Sequence, residues 1–376
     1  MSKAVRSRGV GSVARVILCV VTALISMLFF STAALANDCG PKGNRSAVKC
    51  IMVDTILTIT GTGPMMIDTR EKGLLGITFP WMGNEKKFTN VIIEDSVASI
   101  SDKAFAGFSN LKSVTIPNSV TSIGVGVFTG CTRLTRIDVG DSNTVYSSVD
   151  GVLFNKAEGE LIKYPPLNGQ NEYKIPSNVI SIRSGAFQAC SSLISVTIPD
   201  GVTSIGYGAF RNCGSLTSVT IPNSVTSIGT EVFWGCSSLT SVIIPNSVTS
   251  SIENGTFYNC SGLTSVTIGS GVTSIGNGAF EGCTALTTVT IPNKVTSIGR
   301  YAFQDCTGLK SVMIPSSVTE IGRGAFMGCT NLKSVKISKK TKIEGGSFIG
   351  TSPYDGYSAW VTQHNAFDDG VKIIRY

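Results

Sequence analysis

The chain has little with which to carry out acid–base or metal chemistry. It contains a single histidine, His364. A Ser-His-acid relay needs a histidine packed between a nucleophile and an orienting acid. No such arrangement surrounds His364, which reads as a surface histidine. No two cysteines stand at the two-to-four-residue spacing of a zinc site. Neither G-x-x-x-x-G-K nor a strand-linked G-x-G-x-x-G occurs, so no phosphate loop is present. Aspartate and glutamate are scattered and form no recognisable pair for sugar hydrolysis. These absences point away from an enzyme, and no cofactor or metal is expected.

Charge is also scarce. Only 15% of residues are Asp, Glu, Lys or Arg, and the formal net charge is +7. Lys3, Arg6, Arg8 and Arg15 carry four of those charges, which leaves +3 for the rest. That excess is too small for a nucleic-acid binder. One long apolar run exists, Val16 to Phe30, 15 residues that fall short of a membrane span. With its basic flank and the small-residue site Ala34-Leu35-Ala36, it reads as a secretory signal over 1–36, cleaved at about Ala36/Asn37. An uncleaved N-terminal anchor is the alternative. No second run would span a membrane in the mature chain, which is therefore expected to be secreted or held at the cell surface.

What the chain does have is repetition. Val202–Ser224 reads VTSIGYGAFRNCGSLTSVTIPNS, and Val225–Ser247 reads VTSIGTEVFWGCSSLTSVIIPNS. Copies start at Val97, Val120, Val179, Val202, Val225, Val248, Val272, Val295 and Val318, and a worn copy spans Thr341–Ile349. A fixed period of this length dictates architecture. Within one copy, Leu216, Val219 and Ile221 alternate like a short half-buried strand, which Pro222 ends. Val225, Ile228, Phe233 and Cys236 complete the inward set. Gly229 follows Ile228, where a tight turn would use a positive φ. So few inward side chains cannot offset the entropy of ordering a whole copy, so neighbours must share a core and a ladder. The expected fold is a repeat solenoid. Each coil has one short parallel β-strand on one side and turns or 3₁₀ pieces on the other, and both ends are capped.

Eight cysteines follow the period: Cys131, Cys190, Cys213, Cys236, Cys260, Cys283, Cys306 and Cys329. They form a ladder with a rise of about 5 Å per coil. Parallel Cβ vectors disfavour disulfides there, and a small apolar residue in a tight interior explains the repetition.

The phrase V-T-S-I-G-x-x-A-F-x-x-C-x-x-L-x-S-V-T-I-P, at Val202–Pro222, Val272–Pro292 and Val295–Pro315, resembles the leucine-rich repeats of the BspA-like surface proteins. The resemblance implies a leucine-rich-repeat-type solenoid and adhesion to proteins or glycans. It brings no binding motif that can be matched residue by residue.

The expected domains are a β cap over 37–96, a solenoid over 97–349 and a C-terminal cap or tail over 350–376. The cap holds Ile56–Gly63, Pro80-Trp81 and Val91–Asp95. It also holds Cys39 and Cys50, for which an exported chain predicts a disulfide rather than two free thiols. The copy from Val248 has one extra residue at Ser250-Ser251, expected to bulge outward. Between Val120 and Val179 an insert at about 140–178 carries a β-hairpin turning at Asp150-Gly151 and a strand pair near Leu161–Tyr164. It reads as a structural unit or as a binding loop.

Two rows face outward on the strands. One includes Ser195, Ser218, Ser241, Ser265, Thr288 and Ser311; the other includes Thr197, Thr220, Ile243, Thr267, Thr290 and Met313. The face is hydroxyl-rich and uncharged. Its plain reading is strand propensity plus solubility. Its functional reading is a contact surface in which Ile243 and Met313 interrupt the hydroxyls. Trp234 and Tyr258 follow the repeat Phe on adjacent coils and are further contact candidates. Lys310, Lys333, Lys336, Lys339, Lys340 and Lys342 gather toward the end, either as a solvated cap or as a contact for an acidic polymer. The expected partner is a protein or glycan at a cell surface or matrix. A structural spacer or coat component is the alternative, and ice binding by the Ser/Thr rows is a third reading.

Overall fold

The computed structural model describes residues 36–38, 48–65, 79–156, 159–348 and 372–376. His364 and Cys39 lie outside them.

The chain winds as a stack of short coils whose strands pair in parallel, one coil to the next. Ser195–Thr197, Ser218–Thr220, Ser241–Ile243, Ser265–Thr267 and Thr288–Val289 lie side by side in the principal sheet. Register is fixed by identity: Ser195 faces Ser218, and Val196 faces Val219. A bridge from Thr290 to Met313 carries the sheet on to Ser311–Met313 and Ser334–Ile337. A second, two-residue ladder runs through the Ser-Ile step, as in Ser204–Ile205 beside Ser227–Ile228. The far side of each coil is a run of turns. Its N–H groups reach the next coil: Gly185 donates to the Tyr207 carbonyl at 2.9 Å, Phe187 to Ala209 at 2.7 Å and Ala189 to Arg211 at 2.8 Å. These three backbone ladders tie each coil to its neighbours, as a unit too small to fold alone requires.

The core is a column of repeated side chains. Phe187, Phe210, Phe233, Phe257, Phe280, Phe303, Phe326 and Phe348 stack with ring centroids 4.8–5.5 Å apart. Tyr164 continues the stack from Phe187 at 5.2 Å. Beside it runs the cysteine ladder, buried and unbridged. Each thiol is also a donor, which its apolar reading left out. Cys213 Sγ reaches the Phe187 carbonyl at 3.0 Å, Cys236 that of Phe210 at 3.1 Å and Cys260 that of Phe233 at 3.0 Å. The site therefore wants a side chain that is small, apolar and able to donate weakly.

Gly229 does not have the positive φ expected of it. Two other positions in each coil do, one two residues before the Phe and one just before the Cys, as at Gly208 (+54°) and Asn212 (+60°). Gly229 is needed for close approach instead. A Cβ there would lie 2.8 Å from the Tyr207 nitrogen and 2.9 Å from the Gly206 carbonyl carbon. Gly206, Gly276, Gly299 and Gly322 meet the preceding coil in the same way.

Two places interrupt the stack. At the extra residue, Ser250 is exposed, and the Ser-Ile ladder stops at Ser227–Ile228 to begin again at Ser251–Ile252. The second is the insert. Tyr146–Val149 and Val152–Asn155 pair antiparallel about Asp150 (φ +52°) and Gly151 (φ +79°), a hairpin whose turn takes left-handed residues. Glu160–Lys163 adds a third strand, then pairs parallel with Ser181–Ile182. The chain rejoins the principal sheet at Glu172–Lys174, earlier than the expected limit of about 178, with Tyr173 facing Val196. Across this seam the core divides. One cluster runs from Val48 to Ile162 and includes Tyr146 and Leu153; the other runs from Val152 to Ile337 and includes Phe154 and Tyr164.

Lys163 closes the turn side of the seam. In this row the insert contributes Tyr164 N–H to the Ala186 carbonyl at 2.9 Å. The buried Lys163 ammonium adds bonds to the carbonyls of Gly185 at 2.9 Å and Gln188 at 3.5 Å. Burial lowers its pKa below the ordinary lysine value. A long side chain thus stands in for backbone donors of the missing coil.

At the N-terminal end, Val48–Val53 and Ile56–Gly61 pair antiparallel, and Ile56–Gly61 then leads in parallel to Asn90–Ile93. Trp81 is buried there and donates its indole N–H to the Ala104 carbonyl at 2.9 Å. Cys50 is buried and disulfide-bonded. At the other end, Lys372–Arg375 pairs in parallel with Ser334–Ile337. Among the described residues, no helix is long and apolar enough to cross a membrane.

Candidate functional site

Alternation along each strand sends Val219 and Ile221 inward and leaves Ser218 and Thr220 on the outer face. The parallel register then aligns like with like. Ser218 pairs with Ser241, Ser241 with Ser265, and Ser265 with Thr288. Ile243 pairs with Thr267, and Thr290 bridges to Met313. Ser218, Thr220, Ser241, Ser265, Thr267, Thr288 and Thr290 are all exposed. Ile243 is 63% exposed and Met313 65%. These two are large apolar side chains on a face otherwise lined with hydroxyls.

A neighbouring row of threonines has a different task. Thr217 Oγ1 donates to the Ile194 carbonyl at 3.2 Å, Thr240 to Thr217 at 3.2 Å and Thr264 to Thr240 at 3.0 Å. Thr203, Thr226, Thr296 and Thr319 do the same beside the Ser-Ile ladder. These hydroxyls bridge consecutive coils. Sequence reasoning gave this row no role; its recurrence just before the outward serine was the available signal.

Trp234 and Tyr258 stand on adjacent coils with ring centroids 3.8 Å apart. The Arg211 guanidinium lies 4.6 Å from the Trp234 centroid. Arg211 is ion-paired with Glu231, which also accepts the Tyr207 hydroxyl at 2.7 Å. Both aromatic rings are half-buried. The Trp234 ring therefore already has an aromatic and a cationic partner, and it offers a ligand less stacking surface than an open ring. These residues lie on the turn side and do not join the strand-face rows.

Chemistry elsewhere is quiet. Among the described residues, no group of three His, Cys, Asp or Glu side chains is placed to hold a metal ion. Burial pushes the Cys131, Cys236 and Cys329 thiols up to about 12, and Cys213, Cys260, Cys283 and Cys306 well above the ordinary value. Such thiols are inert as nucleophiles. The geometry can offer contact: a repetitive surface with an aligned hydroxyl register.

Residues 82–156, 168–261 and 250–355 match the BspA type leucine rich repeat region, in six copies. Among solved structures, the chain is similar to a leucine-rich repeat protein from Eubacterium ventriosum, with 24% identity and a TM-score of 0.53 over 90% of this chain and 100% of that one. A leucine rich cell surface protein from Faecalibacterium prausnitzii shows 25% identity and a TM-score of 0.48 over 92% and 96%. A leucine-rich repeat protein from Bacteroides ovatus shows 23% and 0.44 over 84% and 99%. No curated protein matches the chain.

Proposed function

Because this chain belongs to the BspA-type leucine-rich repeat family, we propose that it is an exported, non-catalytic binding protein that engages a protein or glycan at a cell surface through its strand face. One observation carries this reading: Ile243 and Met313 stand 63% and 65% exposed within an aligned, uncharged hydroxyl surface. Solubility alone favours polar residues at both places. A contact surface favours apolar points set among hydrogen-bonding groups.

The test is solid-phase binding of residues 37–376 to a panel of matrix glycoproteins and polysaccharides. A variant with Thr220→Glu, Ile243→Glu and Thr267→Glu runs beside it, checked for folding by circular dichroism. The expected result is saturable binding that weakens at least tenfold in the variant. No binding to any member of the panel by the folded protein would turn the reading toward a structural spacer, a role that the continuous Phe stack also suits.

A further inference from the structure

We infer that the C-terminal end of the strand face is a docking site for a linear sulfated glycan. The inference rests on the surface-binding reading above and names the ligand class.

Along most of the solenoid the strand side is neutral. The position before the outward serine is Thr217, Thr240, Thr264 and Thr287, then becomes Lys310 and Lys333. The second outward row passes Thr267, Thr290 and Met313, then becomes Lys336, which pairs in register with Met313. The last strand brings Lys372 into register with Ser334, while Arg375 falls opposite the buried Ile337 and so off the outward row. Lys333 N–H donates to the Lys310 carbonyl at 3.0 Å, so these two lysines occupy adjacent coils, a strand spacing of about 4.8 Å apart. Lys310, Lys333, Lys336 and Arg375 are exposed.

Among the described residues no carboxylate pairs with Lys310, Lys333 or Lys336. Ion pairs do form elsewhere on the solenoid. Arg136 pairs with Asp138 at the front of the strand face, and Lys342 with Glu320 and Arg300 with Glu344 near the Ser-Ile ladder. Like charges placed side by side on a sheet destabilise it. An extended polyanion relieves that repulsion and gains counterion release on binding.

Two features favour a sulfated glycan over other polyanions. The set is mainly lysine, a point charge suited to anions that need no bidentate fork, whereas carboxylate recognition favours arginine. The basic end also runs directly into exposed Ser311, Thr290 and Thr288, which offer hydroxyl partners to a sugar chain. An anionic membrane would call for a broad apolar face to bury, whereas the large apolar side chains beside these lysines on the face, among the described residues, are Met313 and the half-buried Ile374 that lies in register with Lys336.

The experiment is calorimetric titration of the full chain with heparin, a sulfated glycan, at several salt concentrations. The main variant combines Lys310→Thr, Lys333→Thr and Lys336→Thr, giving each position the residue that other coils carry there. Lys336→Thr alone is a second, milder variant, and Lys86→Thr with Lys87→Thr and Lys112→Thr, exposed lysines toward the N-terminal end, controls for net charge. The triple variant is expected to bind at least tenfold more weakly. Its dependence of log K on log salt should be shallower by about 2, at roughly 0.7 per neutralised charge. Lys336→Thr should weaken binding about threefold, and the control should bind like the parent. Four outcomes would overturn the inference: unchanged affinity in the triple variant, an equal loss in the control, equal affinity for uncharged dextran, or tighter binding to phosphatidylserine vesicles or polyglutamate. If heparin fails while a panel glycoprotein still binds through Ile243, the inference falls and the broader surface-binding reading stands.

Discussion

At the scale of single residues, the most informative side chain is the repeated cysteine. Its thiol is buried beside the Phe stack and donates to a carbonyl of the preceding coil, as Cys236 does to Phe210 at 3.1 Å. Burial holds the folded pKa of these thiols up, to about 12 for Cys131, Cys236 and Cys329, from an ordinary value of 9.0. A raised folded value means that the native state binds more protons than the unfolded state between the two pKa values. The stabilisation is therefore complete below about pH 9 and falls as pH rises toward 12. Lys163 has the opposite sign, since its folded value is lowered, but it is one group against many. The prediction is a fall in urea midpoint that begins near pH 9 and steepens above it, with thiols that react with an aromatic disulfide reagent only after unfolding. A midpoint that is flat from pH 8 to 11 would count against it. Gly229 belongs to the same scale. Its type was legible as a repeated glycine, but its reason was not, because the backbone of the preceding coil is what excludes a Cβ.

At the scale of elements, ladders matter more than strand lengths. Two-residue strands such as Ser227–Ile228 would not persist alone; stacking makes them cooperative. The extra residue at Ser250 breaks this ladder between Ser227–Ile228 and Ser251–Ile252, while the principal sheet runs on through Ser241 and Ser265. Deleting Ser250 restores the regular period and lets the two short strands pair. A net gain of about 1 kcal/mol is expected for the recovered backbone hydrogen bonding, read as a higher urea midpoint with unchanged slope. A lower midpoint would mean that the bulge is required where it stands. The Asp150-Gly151 turn was legible from the sequence because left-handed turn residues flanked by alternating apolar ones have few other uses. The strand at Glu172–Lys174 was not, because Tyr173 replaces the repeat valine and hides the motif.

At the scale of the whole molecule, contacts are local along the stack, and the insert divides the core in two. Stability of such an array is approximately a sum over neighbours, so its halves need not open together. Phe105→Ala removes a fully buried ring from the first cluster, at a cost of roughly 3–5 kcal/mol. Hydrogen exchange in that variant should lose protection at Ser113–Ile116 and keep it at Ser265–Thr267. A uniform loss along the chain would show that the seam transmits cooperativity fully. Surface chemistry is also organised at this scale: strand alternation and parallel register gather scattered serines and threonines into rows, and the change from Thr287 to Lys310 and Lys333 into a basic end.

The sequence by itself determined the period, the inward set of each coil, the outward rows and the solenoid class. Each of these follows from which residues recur and which alternate, and neither needs knowledge of a neighbour's backbone. Only the tertiary structure decided where the ladders break, why Gly229 is glycine, what the thiols bond to, why Lys163 is buried and how far Trp234 is already engaged by Arg211 and Tyr258. Each of these depends on how closely two coils approach, a distance set by stacking the whole array and not written in any one repeat.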